Sequence, residues 1–282
     1  MKRRVSPLLT QLLARISLWA LMGLALVILA SILLFILVRG LPHISWSFLS
    51  SAPHESGKTG GVFPIIVGTL EVTLLGVATA TPLGVGTAVY LAEYTRDTPL
   101  TRLIRFGSDC LAGVPSIIFG LFGFVLFVTT LGLGWSILAG ALTLALMTLP
   151  TIIRTSEEAI KAVNHSYREV ALSLGATQWQ TIWFVVLPAA APGILTGIIL
   201  SLGRAIGETA ALIFTAGSSL PSVSPRSLLD GTRTLSIHFY QLAREGISSE
   251  RAYATAAILV VAISVINLGS GALMHRLARS QR

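Results

Sequence analysis

The chain has 282 residues, of which 53% are hydrophobic and only 11% charged, and its mean hydropathy is +0.80. That composition excludes an ordinary soluble domain and makes the bilayer the expected solvent. The formal net charge of +8 does not point to nucleic acid, because Lys and Arg sit in short clusters between apolar runs, where they orient membrane helices.

A helix needs about 20 apolar residues to cross the hydrocarbon layer, and the uncharged runs count out about six crossings. The first runs from Ile16 to Val38, between Arg15 and Arg39. It is too long for the apolar region of a cleaved signal peptide, and no small-residue cleavage pattern follows, so it reads as a retained helix. The second occupies roughly Pro64 to Ala92, with Glu71 near its start. From Cys110 to Ile153 there is no charge; this stretch is long enough for two crossings, split at Gly132-Leu-Gly134-Trp135. The fifth covers about Ala189 to Ala216 and holds Arg204 and Glu208, and the sixth runs from Ala252 to His275. Pro82, Pro115 and Pro192 read as static kinks. Thr79, Thr81, Thr129 and Thr130 are expected to bond their own backbone carbonyls. Cys110, the single cysteine, forms no intrachain disulfide and is expected to pack in its apolar run.

Six crossings put both termini on one side, and the basic residues say which. With a cytoplasmic N-terminus that face collects thirteen Lys and Arg, in clusters from Lys2 to Arg15, Arg96 to Arg105, Arg154 to Arg168 and Arg276 to Arg282. The opposite face has six, Arg39, Lys58, Arg226, Arg233, Arg244 and Arg251, in longer loops. Positive charge favours the cytoplasmic side, so the N-terminus is placed there. Trp19, Trp179 and Trp183 then fall near the inner interface, Trp46 and Trp135 near the outer one. Two segments are too polar and too long to be mere connectors: Arg154 to Pro188 inside, and Gly217 to Arg251 outside.

In the inner segment Ser166-Tyr-Arg-Glu169 has the spacing of a capping box, which predicts a short helix carrying Val170, Ala171 and Leu174 and ending at Gly175. Thr177-Gln-Trp-Gln180 repeats the cap and opens a second helix toward Leu187, stopped at Pro188. The expected product is a helix, turn, helix knob on the inner face. Capped surface helices are common and need no partner, so the knob alone does not establish docking.

Arg204 and Glu208 are costly, since a charge at mid-bilayer costs about 3 kcal/mol on insertion scales. At i and i+4 they are expected to share one helix face. They serve either as an ion pair that pins packing or as part of a transport path. Small residues recur at Gly193, Gly197 and Ser201 and at Gly203, Gly207 and Ala211, two stripes that permit close helix approach. Arg204 would offer an anion a planar donor array that stays charged at any physiological pH, with Glu208 holding it and limiting affinity. Elsewhere, Gly57-Lys58-Thr59 resembles the end of a phosphate loop, but Ala52 stands where the first Gly is required, so the chain carries no nucleotide site. The five histidines form no metal-ligand spacing, and no Ser, His, Asp grouping points to covalent chemistry.

Glu169-Val-Ala171, Gly175 and Leu187-Pro188, with Val185 two residues earlier, resemble the EAA loop of ABC importer permeases, with Val170 for the first Ala and Val185 for Ile. Arg204-Ala-Ile-Gly207-Glu208-Thr209-Ala210 is similar to the motif at this position in phosphate permeases, and Gly113-Val-Pro115-Ser116 to their Gly-x-Pro-Ser stretch. Further similarity runs through Gly61 to Leu70 and Tyr90-Leu-Ala-Glu93-Tyr94, and Leu235-Ser-Ile-His238-Phe-Tyr240 resembles one of the two paired phosphate permeases rather than the other. Glu71 departs from the expected uncharged residue.

The resemblance implies an all-α membrane protein with a type I (MetI-like) importer permease core over 61–282, preceded by an N-terminal helix and external loop over 1–60. It implies that Glu169, Ala171, Gly175, Leu187 and Pro188, in a coupling loop over 154–188, engage an ATPase. Arg204 and Glu208 would line the substrate path. The implied partners are a second permease subunit, two ATPase subunits, an external phosphate-binding protein and membrane lipid, in a bacterial inner membrane, with no cofactor and no nucleic acid. The rival readings are a permease for sulfate or molybdate, an ion-gradient transporter or channel working without ATP, and a membrane scaffold.

Overall fold

In lipid every backbone polar group needs an internal partner, so long apolar runs must coil. The computed structural model describes residues 7–96, 98–220 and 224–280. Lys2, Arg3, Arg4 and Arg282 of the orientation argument, and the side chains of Arg276 and Arg279, lie outside what is described. Helix α1, Pro7–Gly40, is exposed along most of its length and packs on the last helix, where Phe35 meets the Tyr253 ring edge-on at 5.7 Å. Helix α2, Trp46–Ser50, is capped by Ser45 and leads into a hairpin, β1 Pro53–His54 against β2 Thr59–Gly60. The phosphate-loop look-alike lies in this hairpin, with Gly57 at φ +94.

Helix α3, Phe63–Val89, continues through a π-helical turn at Tyr90–Tyr94. Helix α4, Pro99–Ala112, opens on a reciprocal cap between Thr98 and Thr101. Helix α5, Ser116–Gly123, continues through a second π-helical turn at Phe124–Thr130. Helix α6, Ile137–Ala162, starts at the Ser136 cap and packs along α3, with Val72, Val77, Leu144 and Met147 in the shared core. Beyond it come α7 His165–Ser173, α8 Gln178–Thr181, α9 Leu187–Ile206, α10 Ala210–Thr215, α11 Leu235–Arg244 and α12 Ser249–Ser280.

Among the described residues five helical stretches are long and apolar enough to cross a membrane, and six if the bent pair α4 and α5 is one span. That agrees with about six crossings, but two boundaries move. The third crossing does not run on from Cys110: α4 and α5 meet at 101°. Pro115 has no N–H and disfavours helical geometry at Val114, so the chain turns there. Cys110, on α4, is consequently exposed rather than packed. The fifth crossing begins not near Ala189 but at Gln178, and ends at Ile206 instead of Ala216. Pro188 does not stop it. A π-helical turn at Ile182–Val186 precedes the proline and lets the helix pass through.

The threonine expectation holds: Thr79, Thr81, Thr129 and Thr130 donate to Leu75, Val77, Phe124 and Val125 carbonyls within their own helices. The first small-residue stripe is a seam. Gly193 and Gly197 lie against Ala159 and Thr155 of α6, and Ser201 is buried. The second stripe is not continuous, because Gly203 faces Asn267 of α12 while Gly207 lies past the helix end.

Candidate functional site

The geometry falls into a break at the end of the fifth crossing and a knob at its start. Because α9 ends at Ile206, Arg204 sits in its last turn, and Gly207, Glu208 and Thr209 form a non-helical joint before α10. The expectation that Arg204 and Glu208 share a helix face is therefore corrected. No ion pair joins them among the described residues. Glu208 turns toward α10 instead, its carboxylate accepting the Ala211 N–H at 3.2 Å, which caps a helix six residues long. Arg204 is exposed, and among the described residues it forms no hydrogen bond or ion pair. A guanidinium in the last turn of a helix lies at the favourable end of its dipole, so it is tolerated without a countercharge of its own.

Outside this joint, Arg233 is buried; its Nε donates to the Ser218 carbonyl at 2.7 Å and its Nη1 lies 3.4 Å from His238 Nδ1. Burial, and then the neighbouring Arg233, push the His238 imidazole down to about 3, so it is neutral.

Ahead of the fifth crossing α7, Gly175 and α8 build the knob. Its first cap is Asn164, whose side chain accepts from the Ser166 N–H at 3.0 Å, so Ser166 lies inside the helix and the Ser166–Glu169 box does not form. Asparagine two residues earlier captures the free amide first. Glu169 lies exposed, 3.2 Å from His165. Gly175 takes φ +85 with nothing within 4 Å of a Cβ, so its requirement is conformational rather than steric. The Thr177 and Gln180 cap forms as expected.

Ala171 is buried and fastens the knob, whereas Tyr167, Val170 and Leu174, at spacings of three and four, form one exposed apolar face, with Leu174 83% exposed. Leu187 packs against the cluster around Val186 and Ala190, and Pro188 is exposed inside the continuous helix.

Sequence reasoning missed what anchors the knob. Arg168 reaches Glu93, at the end of α3, with Nη2 at 2.6 Å and Nε at 3.1 Å, both side chains largely buried. The same guanidinium donates to the Val163 and Ile160 carbonyls that close α6, at 2.8 and 2.9 Å. Gln178 at the start of α8 donates to the Glu93 carbonyl at 2.9 Å. Nearby, Glu157 is buried under Arg105 at 2.8 Å and Lys161 at 2.6 Å, and Arg154 bridges Asp109 and Glu158. These groups line a cleft of about 190 Å³ between α4 and α6. No local signal singles out Glu93 or Glu157, because the same segments also hold Asp109, Glu158 and Glu169.

Residues 80–282 match the family described as binding-protein-dependent transport system inner membrane component. The chain is 33% identical over 266 residues to the probable ABC transporter permease protein YqgI of Bacillus subtilis, covering 88% of this chain and 90% of that one. It is 35% identical to the phosphate transport system permease protein PstA of Xylella fastidiosa, over 84% of this chain and 83% of that one, and 37% identical to PstA 1 of Mycobacterium tuberculosis, over 79% and 72%. In fold it is similar to a chain of the MetNI methionine ABC transporter in an inward-facing conformation, with TM-score 0.62, 19% identity and coverage of 74% and 93%. A chain of a bacterial alginate ABC transporter solved with its periplasmic protein gives TM-score 0.66 at 17% identity, over 96% and 94%.

Proposed function

The chain belongs to the binding-protein-dependent transport system inner membrane component family, and from that premise we propose that it is a permease subunit of an ATP-driven phosphate importer. It forms half of the translocation path beside a second permease, receives phosphate from an external binding protein, and is driven by two ATPase subunits on the cytoplasmic face, where both termini lie. The carrying observation is Arg204: a permanent cation in the last turn of a membrane helix, beside a non-helical joint, with no countercharge paired to it among the described residues. An unspent guanidinium recognises oxyanions through planar, charge-assisted donors. Without Glu208 clamped onto it, the anion meets an open site from which release is easy.

The knob supports coupling. Its exposed apolar face at Tyr167, Val170 and Leu174 would be unfavourable in water and fits a groove on an ATPase partner. Glu169 supplies a charge at the rim, Gly175 the bend, and Ala171, Leu187 and Pro188 tie the knob to the crossing. Relatives named as phosphate permeases support the substrate assignment.

The test is phosphate uptake by cells carrying Arg204→Gln, with the protein's membrane abundance measured in parallel. Uptake falls by at least about ten-fold at normal abundance, on the scale of one lost charge-assisted contact. Normal uptake at normal abundance would remove Arg204 from the path. Competition by sulfate or molybdate equal to that by phosphate would reassign the substrate, and uptake by the chain alone in proteoliposomes would remove the ATPase.

A further inference from the structure

The external segment after α10 returns into the protein at Thr232 to Ser236 and bonds α10 at both ends. Behind the helix, the Thr232 N–H donates to the Ala216 carbonyl at 3.0 Å and Arg233 Nε donates to the Ser218 carbonyl at 2.7 Å. Ahead of it, the Ser236 hydroxyl donates to the Glu208 carbonyl at 2.6 Å, and lies 2.9 Å from the Thr234 hydroxyl. Between them the Leu235 N–H donates to the Thr69 hydroxyl of α3 at 2.9 Å. Thr232, Arg233, Thr234, Leu235 and Ser236 are all buried.

A helix of six residues has little stability of its own, so what holds α10 decides where it sits. It leans on α5 and α6 at Gly120 and Gly140, where a Cβ would stand 2.8 Å from Ala211 and Ala216. Two further restraints act on it: the Ser136 N–H, at the cap of α6, donates to the Thr215 carbonyl at 3.1 Å, and the Thr232 to Ser236 run bonds the residues on either side of the helix. That run continues directly into α11, whose His238 lies under Gly57 of the external hairpin. An external helix is thus joined to the unwound residues next to Arg204 by a hydroxyl on an otherwise orphaned carbonyl.

We infer that Thr232 to Ser236 is a strap through which α11 sets the position of the joint at Gly207 to Thr209, with Ser236 as the positioning residue. Docking of a loaded binding protein on the external face shifts α11, and the strap carries that shift to the joint beside Arg204. The inference rests on the importer reading given above. Such coupling requires two arrangements of the joint, and docking on the external face is what would bias them.

The experiment uses the whole complex in proteoliposomes: this chain, its second permease, the ATPase subunits and a phosphate-loaded binding protein. Ser236→Ala lowers ATP hydrolysis stimulated by the binding protein by about five-fold, the order expected for one buried hydrogen bond. Basal hydrolysis without the binding protein changes by less than about two-fold, and Ser236→Thr restores stimulation. Unchanged stimulation, or basal and stimulated rates falling in the same proportion, overturns the strap. So does a Ser236→Ala chain that no longer assembles while Ser236→Thr behaves as wild type, since that marks a structural strut alone. A wild-type complex stimulated only by a binding protein carrying another anion would remove the phosphate reading and leave the strap standing.

Discussion

Arg168 and Glu93 stand 75 residues apart in sequence and share three charged hydrogen bonds in the structure. In the sequence Arg168 is one more inner-face cation, and nothing local distinguishes it from Arg154 or Lys161. Its burial makes the difference, because a charge removed from water without its partner costs far more than an exposed pair yields. Glu93→Gln should therefore destabilise the purified complex by about 3 kcal/mol, read as a fall in thermal unfolding temperature, while an Arg168→Met, Glu93→Leu double variant recovers part of that loss. If Glu93→Gln unfolds at the wild-type temperature, the pair does not anchor the knob. Arg204 is the opposite case. Its cost in lipid made it legible from sequence, yet its relation to Glu208 was not, because i and i+4 spacing implies a shared face only where the helix continues.

Among the elements, α9 shows how local rules and packing divide the outcome. Gly175 was legible as a helix end because a left-handed residue is needed there whatever the neighbours do. Pro188 misled in the other direction: a proline stops a helix unless the preceding turn widens, and the π-helical turn at Ile182–Val186 is a property of the packed chain. Gly197 lies on the α6 seam, where a Cβ would collide with the Thr155 side chain, whereas Gly86 has nothing within 4 Å of a Cβ. Gly197→Leu is accordingly expected to remove most folded protein from detergent extracts, judged by size-exclusion yield, and Gly86→Leu to leave the yield within about two-fold of wild type, the range of an ordinary exposed substitution. Equal yields from the two would show that close approach along this seam is dispensable.

For the whole molecule, the charge asymmetry predicts which face each segment meets, and the knob provides the reporter. In a Cys110→Ser background, Leu174→Cys should react with a membrane-impermeant maleimide in inside-out vesicles and not in intact cells, since Leu174 is 83% exposed on a segment assigned to the cytoplasm. Bound ATPase subunits should slow that labelling by at least about ten-fold, as expected where an apolar side chain is buried in a partner's groove. Labelling in intact cells would invert the topology, and labelling indifferent to the ATPase would place its docking surface elsewhere. Helix α1 packs along α12, leaving most of its apolar surface for lipid or a neighbouring subunit.

The sequence by itself determined the solvent, the approximate number of crossings, the knob's second cap and bend, and the presence of an expensive cation, since each follows from the chemistry of contiguous residues. Only the tertiary structure decided where the third and fifth crossings begin, that Glu208 caps α10 instead of pairing with Arg204, that Glu93 holds Arg168, and that Ser236 reaches back to the joint. The last two depend on contacts 75 and 28 residues apart. The physical reason is that helix formation is written in neighbouring residues, whereas the fate of a buried polar group is settled by whichever partner the fold brings within about 3 Å of it.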